Sequence, residues 1–319
     1  MLKFSPFAIY LVLILLSCRS KQEVPVSGVQ EGFIQVTGGK VWYRIVGADK
    51  KGIPLLTVHG GPAAPHDYFE PLDALAVERP VIFYDQLGCG NSDRPSDTAL
   101  WNVARFVEEL QQVRTALHLD TVHILGGSWG TMLAAEYMLR KNPAGVASLI
   151  FSGPYLSSPL WEADQQMWIS KLTANTRDTI RKYEQNGDFS SPSYQAAMMD
   201  YYNLHVCRLN PWPDCLNRAF GKIGAEVYNY MWGPSEFTVT GTLKHADVTE
   251  QLGLIKVPVL FTCGEFDEAT PATTLFYQSK IPGSDIYIFK DASYEHLLEK
   301  TDEYLQVVRN FLAKCESSE

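Results

Sequence analysis

The sequence predicts an α/β protein with a mostly parallel sheet flanked by helices. Short apolar runs rich in β-branched and aromatic residues alternate with longer stretches of helical period, which is typical of sheets buried on both faces. This alternation stops after residue 154 and returns after residue 248, which indicates one sheet with an insertion. A chain of 319 residues with 46% hydrophobic and 20% charged residues is an ordinary globular protein, so disordered and fibrous classes are excluded.

A β-hairpin is expected at the start of the domain. From Phe33 the sequence reads FIQVTGGKVWYRIVG, two alternating patterns joined by Gly38 and Gly39. Buried strands are then expected in IPLLTVHG, PVIFYDQ, TVHILGG and VASLIFSG, and later in VPVLFTCGEFD and SDIYIFKD. Helical period marks TALWNVARFVEELQQVRTAL and the terminal EYLQVVRNFLAK. We therefore assign residues 28–154 and 249–319 to the two parts of one core.

Residues 155–248 lack strong strand runs, and we expect them to form a helical cap inserted between sheet strands. The segment is rich in aromatic residues, and two interpretations of these rings remain open. They form either the apolar wall of a pocket or the hydrophobic core of the cap itself. The rings are those of Trp161, Trp168, Tyr201, Tyr202, Trp212, Tyr228, Tyr230 and Trp232.

Residues 1–17 are typical of a secretory signal peptide. The apolar run from Phe4 to Leu16 is too short for a membrane span, which needs about 20 residues. It ends in LLSC, which resembles the lipobox of bacterial lipoproteins, in which the cysteine, here Cys18, is acylated. We expect a polar tether over residues 18–27 and an exported, lipid-anchored protein that faces the periplasm or cell envelope. A plain signal peptide with an accidental cysteine, or an uncleaved anchor, is the alternative.

Charge and cysteine usage exclude several classes of partner. The formal net charge is −9 and no run of Lys and Arg occurs, so nucleic acid is not expected as a partner. No Cys-x-x-Cys motif and no His pair at metal-ligand spacing occurs, so we expect neither a metal nor another cofactor. Cys207 and Cys215 are close in sequence, and either a disulfide or two free thiols is compatible with an oxidising compartment.

A catalytic serine is predicted at Ser128. The motif GGSWG follows a strand-like run and precedes a helix-like one, which is the context of a nucleophile elbow. A serine hydroxyl needs a base within hydrogen-bonding reach and an acid that orients the base. In folds with this elbow the acid and then the histidine follow the serine along the chain, which selects Asp267 and His296.

An oxyanion hole needs two backbone N–H groups directed at the carbonyl oxygen of the substrate. One is expected from Trp129, directly after the nucleophile. The other is expected from the turn HGGP that follows the strand LLTV, where we select Gly61.

As a set, these motifs resemble the proline iminopeptidases, serine exopeptidases of the α/β-hydrolase fold. The resemblance covers most of the chain and rests on HGGPAAPHDYF, YDQLGCGNS, GGSWGT, MWGPSEF and GEFDEATP. It implies that Ser128, Asp267 and His296 act as a triad. It also implies that Glu236 and Glu268 hold the free α-amino group of the substrate. Apart from the resemblance, Glu236 would be a surface charge of the cap and Glu268 an acid near a helix N-terminus.

Two positions depart from the pattern of this family. Ala63 stands where the first motif usually has its last glycine, so its methyl group would narrow the pocket or shift the turn. Glu295 directly precedes His296, where a small residue is common. Its carboxylate would raise the pKa of the histidine only if it faced the imidazole.

The expected function is a metal-independent serine aminopeptidase that releases N-terminal proline or a small apolar residue from peptides or amides through an acyl-enzyme. An esterase or lactonase, which needs no amine site, and an amino-acid amidase are the alternatives on the same fold. An epoxide hydrolase is disfavoured because Ser128 stands at the nucleophile position. A non-catalytic binding protein on this scaffold is an alternative of another class, and it predicts a broken triad.

Overall fold

A computed structural model of the protein describes residues 28–317. Its strands are β1 Gln30–Val36, β2 Gly39–Val46, β3 Leu55–Val58, β4 Val81–Tyr84, β5 Val122–Ser128, β6 Val146–Pro154, β7 Val259–Gly264 and β8 Asp285–Phe289. They form one eight-stranded sheet in the order β1-β2-β4-β3-β5-β6-β7-β8. The β1–β2 and β2–β4 pairs are antiparallel and the other pairs are parallel. The predicted fold class is confirmed.

Helices cover both faces of the sheet, so strands β3, β4, β5 and β7 are buried along their whole length. The α-helices are α1 Val103–Ala116, α2 Trp129–Lys141, α3 Ser158–Lys171, α4 Ala174–Asn186, α5 Pro192–His205, α6 Asp214–Gly221, α7 Ala225–Met231, α8 Pro271–Lys280, α9 His296–Glu299 and α10 Thr301–Glu316. Helices α3 to α7 all lie between β6 and β7, within the segment for which a helical cap was expected.

The sheet topology determines where a site can form. In parallel sheets, ligands bind beyond the carboxyl ends of the strands, because the loops that leave these ends converge at one edge. Here that edge carries the turn after β3, the junction of β5 with α2, the start of the cap after β6, and the loops after β7 and β8. Every residue predicted to act in catalysis lies in or next to one of these loops.

Three findings concern the chain outside this edge. Cys207 and Cys215 are buried free thiols and form no disulfide. No helix within residues 28–317 combines the length and apolarity needed to cross a bilayer. The predicted signal peptide, the acylation at Cys18 and the tether lie outside the described residues.

Candidate active site

Ser128 lies at the sharp turn where β5 ends and α2 begins. Its φ of 49° and ψ of −120° are unusual for a residue other than glycine. The turn needs small neighbours: a Cβ at Gly126 would lie 2.5 Å from the carbonyl oxygen of Gly130, and a Cβ at Gly130 would overlap the carbonyl oxygen of Val58. This geometry is that of a nucleophile elbow, and it places Ser128 on the wall of a cavity beneath the cap.

Asp267 lies in the turn after β7 and is fully buried. Its Oδ2 accepts a hydrogen bond of 3.1 Å from Gly264 N–H, and its Oδ1 accepts one of 2.8 Å from Ala269 N–H. Burial raises the pKa of this carboxyl, whereas the nearby His296 ring and the backbone donors lower it. The Trp168 indole donates to the Asp267 carbonyl oxygen at 2.8 Å, so cap helix α3 is fastened to the loop that carries the acid.

The structure does not bring His296 to Ser128, and the expected triad is therefore incomplete. His296 is the first residue of α9 and only 1% exposed. Its Nε2 atom, which would have to accept the serine proton, lies 3.0 Å from the Ser152 hydroxyl and 3.0 Å from the Thr262 hydroxyl. Its Nδ1 lies 3.5 Å from Asp267 Oδ2, beyond ordinary hydrogen-bonding distance. The imidazole thus approaches the acid but not the nucleophile.

Aromatic packing fixes the His296 ring in this position. The ring stacks on Phe289 with centroids 5.1 Å apart, and it contacts Tyr304 at 5.5 Å. The Tyr304 hydroxyl donates to the Ser152 oxygen at 3.1 Å, so the polar partner of Nε2 is itself held. These contacts keep the imidazole between β6 and β7 and outside the cavity lining.

Tyr294 occupies the place beside Ser128 in which the base was expected. Burial raises the pKa of its phenol well above the usual value, and the adjacent Ser128 hydroxyl opposes that rise through a hydrogen bond. The Tyr294 ring lies against Gly153, where an added Cβ would be 2.8 Å from ring atom Cε2 and 3.8 Å from Asp267 Oδ2. Tyr294 therefore lines the cavity together with Ser128, and its ring and the acid both border Gly153.

The sequence contained one signal for this arrangement. A small residue, Ser293, directly precedes Tyr294, whereas Glu295 precedes His296. A search for a histidine alone selects His296, because tyrosine is not an ordinary base for a serine nucleophile.

One predicted oxyanion donor lines the cavity with Ser128, and the other directly follows Ser128 in the chain. The Gly60 N–H donates to the Tyr68 hydroxyl at 2.7 Å, so it is already used. Gly61 follows with a φ of 112° and lines the cavity beside Ser128. Trp129 begins α2, and its buried indole donates to the Gln86 side-chain oxygen at 2.9 Å, which fixes the first turn of the helix. Gly61 and Trp129 stay our predicted donors.

Ala63 is buried and has a φ of 69°, a left-handed conformation that favours glycine. Its carbonyl oxygen accepts a hydrogen bond of 3.0 Å from Gly224 N–H, at the start of α7. Its neighbour Ala64 lines the cavity, but Ala63 does not. Alanine in place of glycine therefore strains the backbone of the turn where it bonds to the cap, and its methyl group does not narrow the pocket.

A cavity of about 420 Å³ connects Ser128 with both predicted amine-binding acids. Glu236 accepts hydrogen bonds from the Tyr228 hydroxyl at 2.7 Å and the Tyr202 hydroxyl at 3.2 Å. Glu268 is 3% exposed, and its Oε1 has no hydrogen-bond partner among the described residues. Burial raises the pKa of both carboxyls, and the charge of Glu236 raises that of Glu268 further. A cationic ligand would supply the countercharge that these two groups lack.

Glu295 is a third carboxyl of this cavity. It is 5% exposed, and burial together with the charge of Glu299 raises its pKa well above the usual value. Its backbone N–H donates to the Val206 carbonyl oxygen at 2.8 Å, which holds the loop against the end of α5. Glu295 borders the cavity and the His296 ring does not, and the raised pKa favours the neutral form of its carboxyl.

The two interpretations of the cap aromatics each hold for different rings. Tyr201 is fully buried and packs edge-on against Phe237 at 4.9 Å, inside the cap. Trp232 packs on Trp161 at 5.7 Å, which connects the interior with the cavity wall. The cavity wall itself contains Trp161, Tyr202, Trp212, Phe220 and Tyr228.

No metal-binding site is found among the residues that the structure describes. Within 28–317, no group of three or more His, Cys, Asp or Glu side chains is arranged as a metal site. His59 is a structural residue: burial lowers its pKa to about 4, and its Nε2 accepts a hydrogen bond of 2.8 Å from Gln86 N–H. It supports the oxyanion turn as a neutral imidazole.

Comparison with known proteins shows which proteins this chain resembles in sequence and fold. Residues 53–300 match the family described as alpha/beta hydrolase fold. The chain is 50% identical over 283 residues to a proline iminopeptidase of Heyndrickxia coagulans, a match that covers 88% of this chain and 98% of the relative. It is 39% identical over 293 residues to a proline iminopeptidase of Clostridium botulinum, with 90% and 99% covered. The crystal structure of a proline iminopeptidase from Mycobacterium smegmatis superposes with a TM-score of 0.84 at 34% identity, covering 91% of this chain and 99% of that one.

Proposed function

The chain belongs to the proline iminopeptidase family of α/β-hydrolase serine aminopeptidases, and we propose that it binds peptides by their free N-terminal amine and releases the first residue. One observation carries this proposal: Ser128, Glu236 and Glu268 line the same cavity. An apolar pocket with a few convergent polar groups is the usual form of a small-molecule site.

Recognition of the amine follows from the charge of the pocket. Glu236 and Glu268 are buried and their pKa values are raised, so ionisation of both carboxyls is unfavourable without a cation. A substrate ammonium would donate to both, and such charge-assisted hydrogen bonds are about twice as strong as neutral ones. A peptide with a blocked N-terminus brings no such cation, so the pocket selects free N-termini.

The reaction takes place at the carbonyl carbon of the bound residue. Ser128 Oγ forms a bond to this carbon, the amide C–N bond breaks, and the serine proton ends on the leaving amine. The N–H groups of Gly61 and Trp129 stabilise the oxyanion, and water then hydrolyses the ester to Ser128. Proline or a small apolar residue is proposed as the first residue, since the relatives are proline iminopeptidases and the wall is aromatic.

A panel of chromogenic amides tests this function. Amides of proline, alanine and leucine, each free and N-blocked, are compared with a simple acetate ester, using the mature protein and Ser128→Ala. We expect cleavage of the free amides, with proline preferred, and of the simple ester, but not of the N-blocked amides, and loss of all cleavage in the variant. Ester cleavage without any amide cleavage would instead establish an esterase.

A second function, binding of such peptides with little turnover, is favoured by one specific observation. Tyr294, and not a histidine, lines the cavity beside Ser128. The amine-binding carboxyls do not depend on this position, so recognition would persist where catalysis is weak.

We also propose that the protein is exported and anchored by lipid on Cys18, as the LLSC sequence after a short apolar run suggests. In a bacterial host we expect the full-length protein to fractionate with membranes and to incorporate labelled fatty acid. Cys18→Ala should abolish the fatty-acid labelling, and the signal sequence should then stay uncleaved on the protein. Equal labelling of Cys18→Ala, with Cys315→Ala as the matched cysteine control, would overturn the proposal.

A further inference from the structure

We propose that Tyr294 holds the general-base position beside Ser128 and leaves the serine weakly activated. This chain then binds peptides by their N-terminal amine but hydrolyses them slowly. The amine-binding part rests on the proposed function. The part that concerns Ser128 does not, since it depends only on which side chain lies beside the nucleophile.

The geometry supports this assignment from both sides. Tyr294 and Ser128 line the same cavity, and the Ser128 hydroxyl lowers the pKa of the Tyr294 phenol. The Tyr294 ring and Asp267 Oδ2 both border Gly153. His296 is held elsewhere by the hydroxyls at 3.0 Å from Nε2 and by stacking on Phe289. To reach Ser128, the imidazole would have to leave both sets of contacts.

The Tyr294 backbone is also fixed. Its N–H donates to the His205 carbonyl oxygen at 3.0 Å, and the next N–H, of Glu295, donates to the Val206 carbonyl oxygen at 2.8 Å. The Ser293 hydroxyl donates to the same Val206 oxygen at 3.0 Å. These bonds join the loop to the end of α5 and determine which side chain of the loop enters the cavity.

A phenol is a poor substitute for imidazole in this reaction. As the Ser128 Oγ–C bond forms, the serine proton must leave, and as the C–N bond breaks, the leaving nitrogen must gain a proton. A neutral imidazole holds the extra proton between these two events. A neutral phenol accepts the serine proton only if it gives up its own at the same moment, and the surrounding carboxyls and burial oppose the phenolate that would be a true base.

A second change affects the same machinery independently. Ala63 adopts a left-handed backbone in the oxyanion turn, where glycine is the favourable residue. In contrast, both amine-binding carboxyls remain on the cavity wall, with tyrosine donors on Glu236. The features that bind the amine are thus preserved, while two features that serve bond cleavage depart from the family's pattern.

Labelling of Ser128 by a fluorophosphonate tests the inference without assuming any substrate. The serine oxygen attacks phosphorus, the P–F bond breaks, and fluoride leaves with the serine proton lost to base or solvent. The rate therefore reports how strongly the serine is activated. We expect slow labelling of the wild type and of Tyr294→Phe, none of Ser128→Ala, and a rate about 10²-fold or more higher in Tyr294→His, followed by mass spectrometry of the intact protein.

The His296→Asn variant tests whether His296 is the base. We expect its labelling rate to remain within about twofold of the wild type, measured at a temperature at which circular dichroism shows the variant to be folded. Wild-type labelling as fast as that of Tyr294→His would overturn the inference. So would a folded His296→Asn variant that no longer labels, because His296 would then be the base in solution.

Calorimetric titration of Ser128→Ala with prolinamide and with N-acetylprolinamide separates the two proposals. Binding of the free amine only, together with slow wild-type labelling, supports both. Fast labelling with selective amine binding overturns only the inference about Tyr294. Slow labelling without amine binding overturns the proposed recognition and leaves the assignment of Tyr294 intact.

Discussion

Replacing Glu236 and Glu268 together by glutamine is expected to lower kcat/KM for free N-terminal amides by about 10²-fold or more while leaving acetate ester hydrolysis nearly unchanged. A hydrogen bond to a charged group contributes about 1.5–3 kcal/mol, and the double variant removes the negative charge from both acceptors of the bound ammonium, which weakens both bonds. Glutamine keeps the size of each side chain, so the cavity wall is preserved. The rates should be measured in the wild-type and Tyr294→His backgrounds, since the latter is expected to turn over faster.

Glu226→Gln is the matched control, because Glu226 is an exposed carboxyl of cap helix α7 and does not line the cavity. We expect its activity on amides and esters to equal that of the wild type. A parallel loss of amide and ester hydrolysis in the double variant would mean that the carboxyls support the fold of the cavity and do not recognise the amine.

Glu268→Gln alone is expected to stabilise the ligand-free protein at neutral and alkaline pH. Burial and the charge of Glu236 raise the pKa of Glu268 above its ordinary value of 4.5, so the folded state disfavours the ionised form. Its contribution to stability is therefore complete below pH 4.5 and is lost as the pH rises through the raised pKa. We expect Glu268→Gln to increase the free energy of unfolding near pH 8, because glutamine has no charge to bury beside Glu236.

Urea denaturation between pH 4 and pH 9 measures this effect. The difference between variant and wild type should shrink toward zero as the pH falls to 4, and prolinamide should reduce it at pH 8 by supplying a cation. If the two proteins show the same pH dependence of the free energy of unfolding over the whole range, ionisation of Glu268 does not destabilise the folded protein. Glu226→Gln should follow the wild type at every pH.

The alternation of apolar runs and helical stretches determined the α/β class and the place of the insertion. Strands that are buried on both faces need continuous apolar runs, and these runs are visible in the local sequence. The elbow at Ser128 was equally readable, since the strained turn tolerates only glycine at Gly126 and Gly130. Asp267 and the two carboxyls Glu236 and Glu268 were found by their motifs, and the structure places both carboxyls on the cavity of Ser128.

The tertiary structure alone decided which ring lies beside the nucleophile. Tyr294 and His296 are two residues apart, and no periodicity distinguishes them, because the segment is a short loop that enters α9. The difference arises from contacts with distant parts of the chain. Backbone bonds to the end of α5 direct Tyr294 into the cavity, whereas hydroxyls on β6 and β7 receive the His296 ring. Local sequence determined the helices, the strands and the candidate catalytic side chains. Only long-range packing determined which of these side chains lies beside Ser128.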